Sequence, residues 1–312
     1  MLNIIFMGTP DFAVPSLEIL HKNHNVLAVV TAPDKPAGRG RKLKASPVKN
    51  TAQSLNIPIY QPEKLKDADF VNAMETLAPD LMVIVAFRML PKIIWKIPKI
   101  GTFNLHASLL PQYRGAAPIN HAIINGEKIT GNTSFFIDEK IDTGNILLQD
   151  EIEISDNDTA GSLHDKLKQH GAGLVLETVN KLEANHIEAK PQSSAQIINH
   201  APKIFKTDCE IDWKADGKKI HNKIRGLSPY PGAWSNIRFR DEKSSMKVLN
   251  AKFIQQKHNA EIGQIIQSEK DKILVAVKNG IIQITELQIQ SKKRLSDTQF
   301  LNGYKIDDLK ID

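Results

Sequence analysis

Cysteine occurs once in the 312 residues, at Cys209. A single thiol excludes an intramolecular disulfide framework and any zinc site built from several cysteines. Long apolar runs are missing too, and no stretch approaches the roughly 20 apolar residues that a membrane-spanning helix requires. The opening residues carry no cationic leader and reach Asp11 too early for a secretory signal. A cytoplasmic chain without a membrane partner is therefore expected. There is no low-complexity tract and no repeat period, which sets aside solenoids and fibrous architectures.

Glycine is scarce at one telling place. Leu2–Met7 reads as a buried strand, Pro15–Lys22 as a helix and Val26–Thr31 as a second strand, the opening of a βαβ unit. The turn after the first strand holds only Gly8, so the Gly-x-Gly-x-x-Gly dinucleotide fingerprint is absent, as is a phosphate loop ending in Gly-Lys-Ser/Thr. Nicotinamide- and ATP-dependent chemistry is disfavoured on that ground.

Acid is in short supply relative to base. The net charge is +6, and from Asp208 onward there are 19 Lys+Arg against 14 Asp+Glu, whereas the preceding residues are nearly balanced at 22 against 21. Such an excess suits a polyanionic partner, although a solvated face explains it as well. A second basic concentration lies in residues 31–50, read as a breaker-rich loop. Lys35, Arg39, Arg41, Lys42, Lys44 and Lys49 there face a single acid, Asp34. A structureless loop of that length inside a compact domain is usually functional or disordered.

What is present centres on residues 103–149. Asn104 and His106 alternate with Phe103 and Leu105, which in a strand puts amide and imidazole on one face. Ser108-Leu109-Leu110-Pro111 then ends the strand. Ser134–Ile137 reads as another strand, and Ile141-Asp142-Thr143-Gly144 as a turn carrying an acid. Asn, His and Asp are thus candidates to meet in space. Asp-Thr-Gly also spells the aspartic protease signature, but that chemistry needs two such carboxylates and this chain has one. A metal site from His106, His121 and Asp142 lacks tight ligand spacing, so no metal is expected.

Further on, Val48–Leu55 reads as helix and Asp80–Val85 as a buried strand, with Ala86–Pro91 at its carboxyl end, where open α/β sheets bind ligands. Ala160–Ala184 has the periodicity of an amphipathic helix. Pro191 and Pro202 punctuate a connector, followed by a helix over Asp216–Arg225. Short strands are expected at Lys247–Phe253, Gly263–Ile266, Ile273–Val277 and Ile281–Gln290, a pattern that suits a small barrel of the oligonucleotide-binding type. The expected architecture is α/β. A Rossmann-like open parallel sheet occupies residues 1–189, a linker residues 190–206, and a small OB-like β-barrel residues 207–312.

The run Asn104-x-His106-x-Ser108-Leu109-Leu110-Pro111, with Asp142-Thr143-Gly144 downstream, resembles the folate-dependent formyltransferase family. The likeness extends over nearly the whole chain, through Gly8–Ala13, Pro33–Gly40, Arg114–Ile119, Ile211–Trp213 and Pro229–Pro231. Ser134 departs from it, since the family usually has a β-branched apolar residue there. The resemblance implies formyl transfer from 10-formyltetrahydrofolate to an amine. The Arg114–Ile119 run narrows the acceptor to initiator methionyl-tRNA. It also implies Asn104, His106 and Asp142 as the catalytic set. Ser108, Leu109, Leu110 and Pro111 would border the folate, and Phe87, Arg88, Met89 and Leu90 would line the pterin pocket. Arg39, Arg41, Lys42 and Arg114 would contact the tRNA, Gly8–Ala13 would accommodate the aminoacyl side chain, and the protein would act as a monomer.

These residue types suit that chemistry. An α-amino group titrates near 8, so a weak base suffices to free it near neutrality. An imidazole exchanges protons in that range. A neutral amide donates to the oxyanion of a tetrahedral intermediate, and a carboxylate orients the imidazole or holds a relay water. Three alternatives remain open: hydrolysis of formyl-folate, formylation of an amino sugar or purine precursor, and a catalytically silent RNA-binding protein.

Overall fold

The computed structural model describes residues 1–37, 42–193, 198–266 and 272–311. In chain order it runs β1 (Asn3–Gly8), α1 (Val14–Asn23), β2 (Asn25–Val30), β3 (Lys35–Ala37), β4 (Lys42–Lys44), α2 (Pro47–Ser54), β5 (Ile59–Tyr60), α3 (Ala68–Thr76), β6 (Leu81–Val85), α4 (Lys92–Trp95) and β7 (Gly101–His106). There follow β8 (Arg114–Gly115), α5 (Pro118–Ile124), β9 (Ile129–Phe136), β10 (Ile146–Glu153), α6 (Ala160–Glu183) and β11 (His200–Ala201). The remainder is α7 (Gly217–Leu227), β12 (Ala233–Phe239), β13 (Glu242–Ile254), β14 (Ile265–Ile266), β15 (Ile273–Val277), β16 (Gly280–Ile289), β17 (Leu295–Ser296), α8 (Asp297–Gly303) and β18 (Leu309–Ile311). Among the described residues no helix is long and apolar enough to cross a membrane.

Compactness divides the chain by segments. The first unit takes Met1–Gly115, Ile129–Glu153 and His164–His200, and the second takes Ala116–Lys128, Ile154–Leu163 and Ala201–Asp312.

The first unit is built on a sheet of seven described strands in the order β10-β9-β7-β6-β1-β2-β5. Strands β5, β2, β1, β6 and β7 are mutually parallel, and β9 and β10 run antiparallel at the edge. Ile4–Met7 and Leu81–Val85 are buried throughout, as parallel strands covered on both faces must be. The chain leaves β1 on one side to β2 and β5, then returns to the other side with β6 and β7. That reversal is a topological switch point, and Gly8, Ala86 and His106 sit at the carboxyl ends of the strands around it.

Gly171 of α6 lies close against this sheet. A Cβ there would meet Leu105 Cδ2 at 2.7 Å and Asn132 Oδ1 at 3.3 Å. Ser134 is fully buried in β9, and its hydroxyl pairs with Thr178 Oγ1 at 2.8 Å and accepts from Leu148 N at 3.1 Å. A polar residue is tolerated at this buried position because its hydrogen-bonding groups are satisfied.

The stretch 31–50 differs from the expected loop. Strands β3 and β4 pair as an antiparallel ribbon in the register Lys35↔Lys44, Pro36↔Leu43, Ala37↔Lys42. Its roots are fixed by contacts distant in sequence. Thr31 Oγ1 meets Ser46 Oγ at 2.8 Å, and Asp34 accepts from Lys49 Nζ at 2.6 Å and Gln61 Nε2 at 2.8 Å. Ser46 also caps α2 by accepting from Lys49 N at 3.0 Å, ahead of Pro47 at a helix start. Arg39 and Arg41 lie outside the described residues.

The second unit carries an antiparallel, open-barrel-like sheet ordered β14-β15-β16-β13-β12-β18, with β17 paired to β16. Along β12, Ala233, Ser235, Ile237 and Phe239 face in while Asn236 and Arg238 face out. Ile220, Ile224 and Leu227 of α7 join Val248, Ile273, Val275, Ile282 and Ile284 in one core. Asp216 caps α7, accepting from Lys218 N at 2.9 Å. The fold class matches the sequence-based expectation. Strands β5, β8, β10, β11, β12, β17 and β18 and helices α3, α4, α5 and α8 were not anticipated.

Two basic side chains of α7 are desolvated. Arg225 is buried, donating from Nε to Asn222 Oδ1 at 3.0 Å and from Nη1 to Asp158 O at 3.1 Å. His221 donates from Nε2 to Ala251 O at 3.1 Å, and burial, reinforced by the Arg225 charge, lowers its pKa from the usual imidazole value. The unfolded chain then binds more protons than the folded one as the solution acidifies. Stability from this group is complete above about pH 6.5 and declines as pH falls through the lowered folded value. Melting temperatures recorded from pH 8 to 5 should fall less steeply for His221→Gln than for the parent. Equal slopes would show that His221 does not contribute.

Candidate active site

Strand β7 delivers Asn104 and His106 to the carboxyl edge of the sheet, with Ile84 and Phe135 as the register neighbours of Asn104. The Asn104 side chain is half-buried and makes no hydrogen bond to the described residues. His106 is 7% exposed, and its Nε2 lies 2.9 Å from Tyr113 O. A carbonyl only accepts, so Nε2 carries the hydrogen and Nδ1 is left to exchange a proton. That nitrogen lies 3.9 Å from Asp142 Oδ2, too far for a direct hydrogen bond. The structure thus brings His106 and Asp142 together.

The turn bearing Asp142 explains its neighbours in the motif. Asp142 adopts φ +55°, and its Oδ2 accepts from Gly115 N at 3.0 Å. Gly115 has φ +126°, a conformation that disfavours any residue with a Cβ. Thr143 Oγ1 donates to Asp138 Oδ1 at 2.8 Å, closing the turn. A Cβ on Gly144 would lie 1.7 Å from Phe136 O, so only glycine fits.

Residues 108–113 form a buckled loop whose supports the sequence reading missed. Thr133, fully buried on β9, donates to Ser108 O at 2.6 Å and accepts from Leu110 N at 3.0 Å. Gln149 Nε2 donates to Leu110 O at 3.0 Å and Thr133 Oγ1 at 2.8 Å. The one signal available was a run of small polar residues, Asn132-Thr133-Ser134, inside a strand flanked by apolar ones. Ser108 is itself buried and donates to Gln112 O at 2.6 Å, and Leu110 is buried, whereas Leu109 and Pro111 are half-buried.

Beyond β6, Ala86 has φ +49° and turns the chain outward. Phe87 and Leu90 are partly buried against the core that includes Met7, Ile84 and Phe70, while Met89 is exposed. Arg88 lies over the Phe87 ring at 5.7 Å and donates to Glu63 O at 2.8 Å and to Pro62 O. Arg114 donates to Gln192 within the first unit. The backbone of Lys42 is placed in β4. In the Gly8–Ala13 turn, Phe12 meets the His164 ring edge-on at 5.2 Å. Asp11, His164 and Asp165 have metal-ligand spacing, but Lys168 Nζ bridges the two carboxylates at 3.2 and 3.0 Å and supplies the cation.

With this geometry in hand, comparison with known proteins is direct. Residues 2–179 match the formyl transferase family and residues 203–305 the formyl transferase C-terminal domain. The methionyl-tRNA formyltransferase of Flavobacterium johnsoniae is 48% identical over 308 residues, covering 98% of both chains. That of Parabacteroides distasonis is 49% identical, covering 97% of this chain and 96% of its own. Among solved structures, WlaRD, a sugar 3N-formyltransferase, superposes with a TM-score of 0.63 at 21% identity, covering 94% of this chain and 99% of its own. HypX of Aquifex aeolicus superposes with a TM-score of 0.65 at 18% identity, covering 97% of this chain and 49% of that one. The likeness to these two structures is one of fold, whereas the sequence likeness over full length is one of lineage. The chain belongs to the methionyl-tRNA formyltransferase family.

Proposed function

We propose that the protein transfers the formyl group of 10-formyltetrahydrofolate to the amino group of initiator methionyl-tRNA in the cytoplasm, acting as a monomer. The observation that carries this reading is an amide, Asn104, with no hydrogen bond to the described residues, two positions along β7 from an imidazole whose Nε2 is committed to Tyr113 O and whose Nδ1 faces Asp142. Asn104 donates to the oxygen that gains charge when the amine attacks the formyl carbon. His106 Nδ1 receives the proton that the attacking amine gives up. The same proton is returned to the departing folate nitrogen as its bond to the formyl carbon breaks. The 3.9 Å between Nδ1 and Asp142 leaves the carboxylate close enough to stabilise the imidazolium or to hold a relaying water.

Phe87–Leu90 and Leu109–Pro111 are assigned to the folate site, with Phe87 and Leu90 as walls and the backbone as the polar partner. Ser108 and Leu110 act from beneath, because their side chains are packed within the loop. Residues 1–189 form the catalytic domain, 190–206 the linker and 207–312 the tRNA-binding domain. The β3–β4 ribbon is assigned to the tRNA through Arg39, Arg41 and Lys42. Its register sets Lys35 opposite Lys44, a like-charge pair that costs stability until phosphate neutralises it.

The deciding experiment offers three acceptors for the formyl group: initiator Met-tRNA, elongator Met-tRNA and water. Transfer to initiator Met-tRNA is the expected result. Folate consumption without formylated tRNA would make the protein a hydrolase or the catalyst for another amine. A companion measurement replaces Arg39 and Arg41. KM for tRNA should rise while folate binding holds, and the parent should lose tRNA affinity with salt more steeply than the variant. Identical salt slopes would remove the ribbon from the tRNA interface.

A further inference from the structure

The turn that carries Asp142 is held by a side chain from outside the motif. Two backbone carbonyls, Asp142 O and Gly144 O, converge on Gln192 Nε2 at 3.0 and 2.8 Å. On its other side the Gln192 Oε1 accepts from Arg114 Nε at 3.1 Å and Nη2 at 2.5 Å. Carbonyls only accept and a guanidinium only donates, so the amide orientation is dictated by its partners. Gln192 is itself seated by the backbone, since Ile146 and Lys190 exchange two hydrogen bonds at 2.7 and 2.8 Å. Arg114 directly precedes Gly115, whose N–H is donated to the Asp142 carboxylate. One amide therefore joins the turn that bears the acid to the strand that supplies the acid's own donor.

We propose that Gln192, clamped by Arg114, is a positioning residue for formyl transfer, setting the Asp142 carboxylate opposite His106 Nδ1. This rests on the catalytic reading of Asp142 given above. It gives Arg114 a task inside the site, besides the contact with tRNA that the resemblance implies. The need for such a clamp follows from the turn itself: Asp142 is a non-glycine residue at positive φ, which neighbouring contacts must hold in place.

The test compares Gln192→Ala and Gln192→Glu in the parent and in an Asp142→Asn background. Formylation of initiator Met-tRNA is followed in single turnovers with enzyme in excess, alongside KM for both substrates and the melting temperature. The glutamate variant keeps the acceptor for Arg114 but turns a carboxylate oxygen toward two carbonyls. Both variants should lower kcat by roughly ten- to a hundredfold, the scale of a misplaced catalytic group, with KM nearly unchanged. In the Asp142→Asn background the alanine change should cost less than about twofold, because residues acting as a unit are not additive. A wild-type rate for Gln192→Glu, an equal loss in both backgrounds, or a loss confined to KM would overturn the proposal. Full activity in Asp142→Asn would instead overturn the reading of Asp142 on which it rests.

Discussion

Asn104→Ala is expected to slow formyl transfer by about a hundred- to a thousandfold, the usual cost of removing one oxyanion donor. The change should leave the fold and the affinity for tRNA nearly intact. The reason is structural: the amide makes no hydrogen bond within the described protein, so its removal orphans no buried partner. The β7 backbone that places it is held independently, by pairing with Ile84 on one side and Phe135 on the other. Asn104→Asp should be at least as damaging, because a carboxylate opposes the charge that develops on the formyl oxygen. Rapid-quench rates with saturating folate and separate tRNA binding isotherms check both variants. A rate unchanged by alanine, or binding lost in proportion to rate, would remove Asn104 from the chemistry.

The largest expected effect on stability belongs to Thr133→Val, a swap of nearly equal shape. The hydroxyl donates to Ser108 O and accepts from Leu110 N and Gln149 Nε2, all within 3.0 Å, in a fully buried position. Gln149 retains Leu110 O as a second acceptor, so the groups stranded are chiefly Ser108 O and Leu110 N. At about 1–3 kcal/mol for each buried group left unpaired, the loss should reach about 2–6 kcal/mol. Because those groups lie in the 108–113 loop, KM for the folate donor should rise as well. Thr133→Ser keeps the hydroxyl and should recover most of both losses. Urea titrations of the three proteins decide the matter, and a valine variant as stable as the parent would show that the loop is held by other means.

Much of the architecture was legible because it depends on local pattern. Ile4–Met7 and Leu81–Val85 announce buried parallel strands, and the apolar spacing of α6 announces its helix. The motif residues Asn104, His106 and Asp142 were legible as types at a spacing, and the alternation in β7 placed the first two on one face. That His106 meets Asp142 was a matter for the tertiary structure, since some 35 residues, with α5 and the antiparallel strand β9 among them, lie between them. The basic stretch 31–50 was misread as unstructured because its ribbon is closed by Asp34, Lys49 and Gln61, contacts that no window around Lys35 contains. Strand β10 escaped notice for a related reason. Its polar members, Gln149 and Asp150, serve the 108–113 loop and Asn132, so its alternation is blurred by its duties.

By itself, then, the sequence determined the class of fold, the order of its strands and helices in broad outline, and the side chains offered for catalysis. Each of these follows from periodicity or from the chemistry of single residues. The tertiary structure decided which groups meet: the tautomer of His106 through Tyr113 O, the seat of Asp142 through Gly115 and Gln192, and the shape of the 108–113 loop through Thr133. Such pairings depend on hydrogen-bonding groups tens of residues apart, and only the folded chain, which must satisfy every buried donor and acceptor, selects among them.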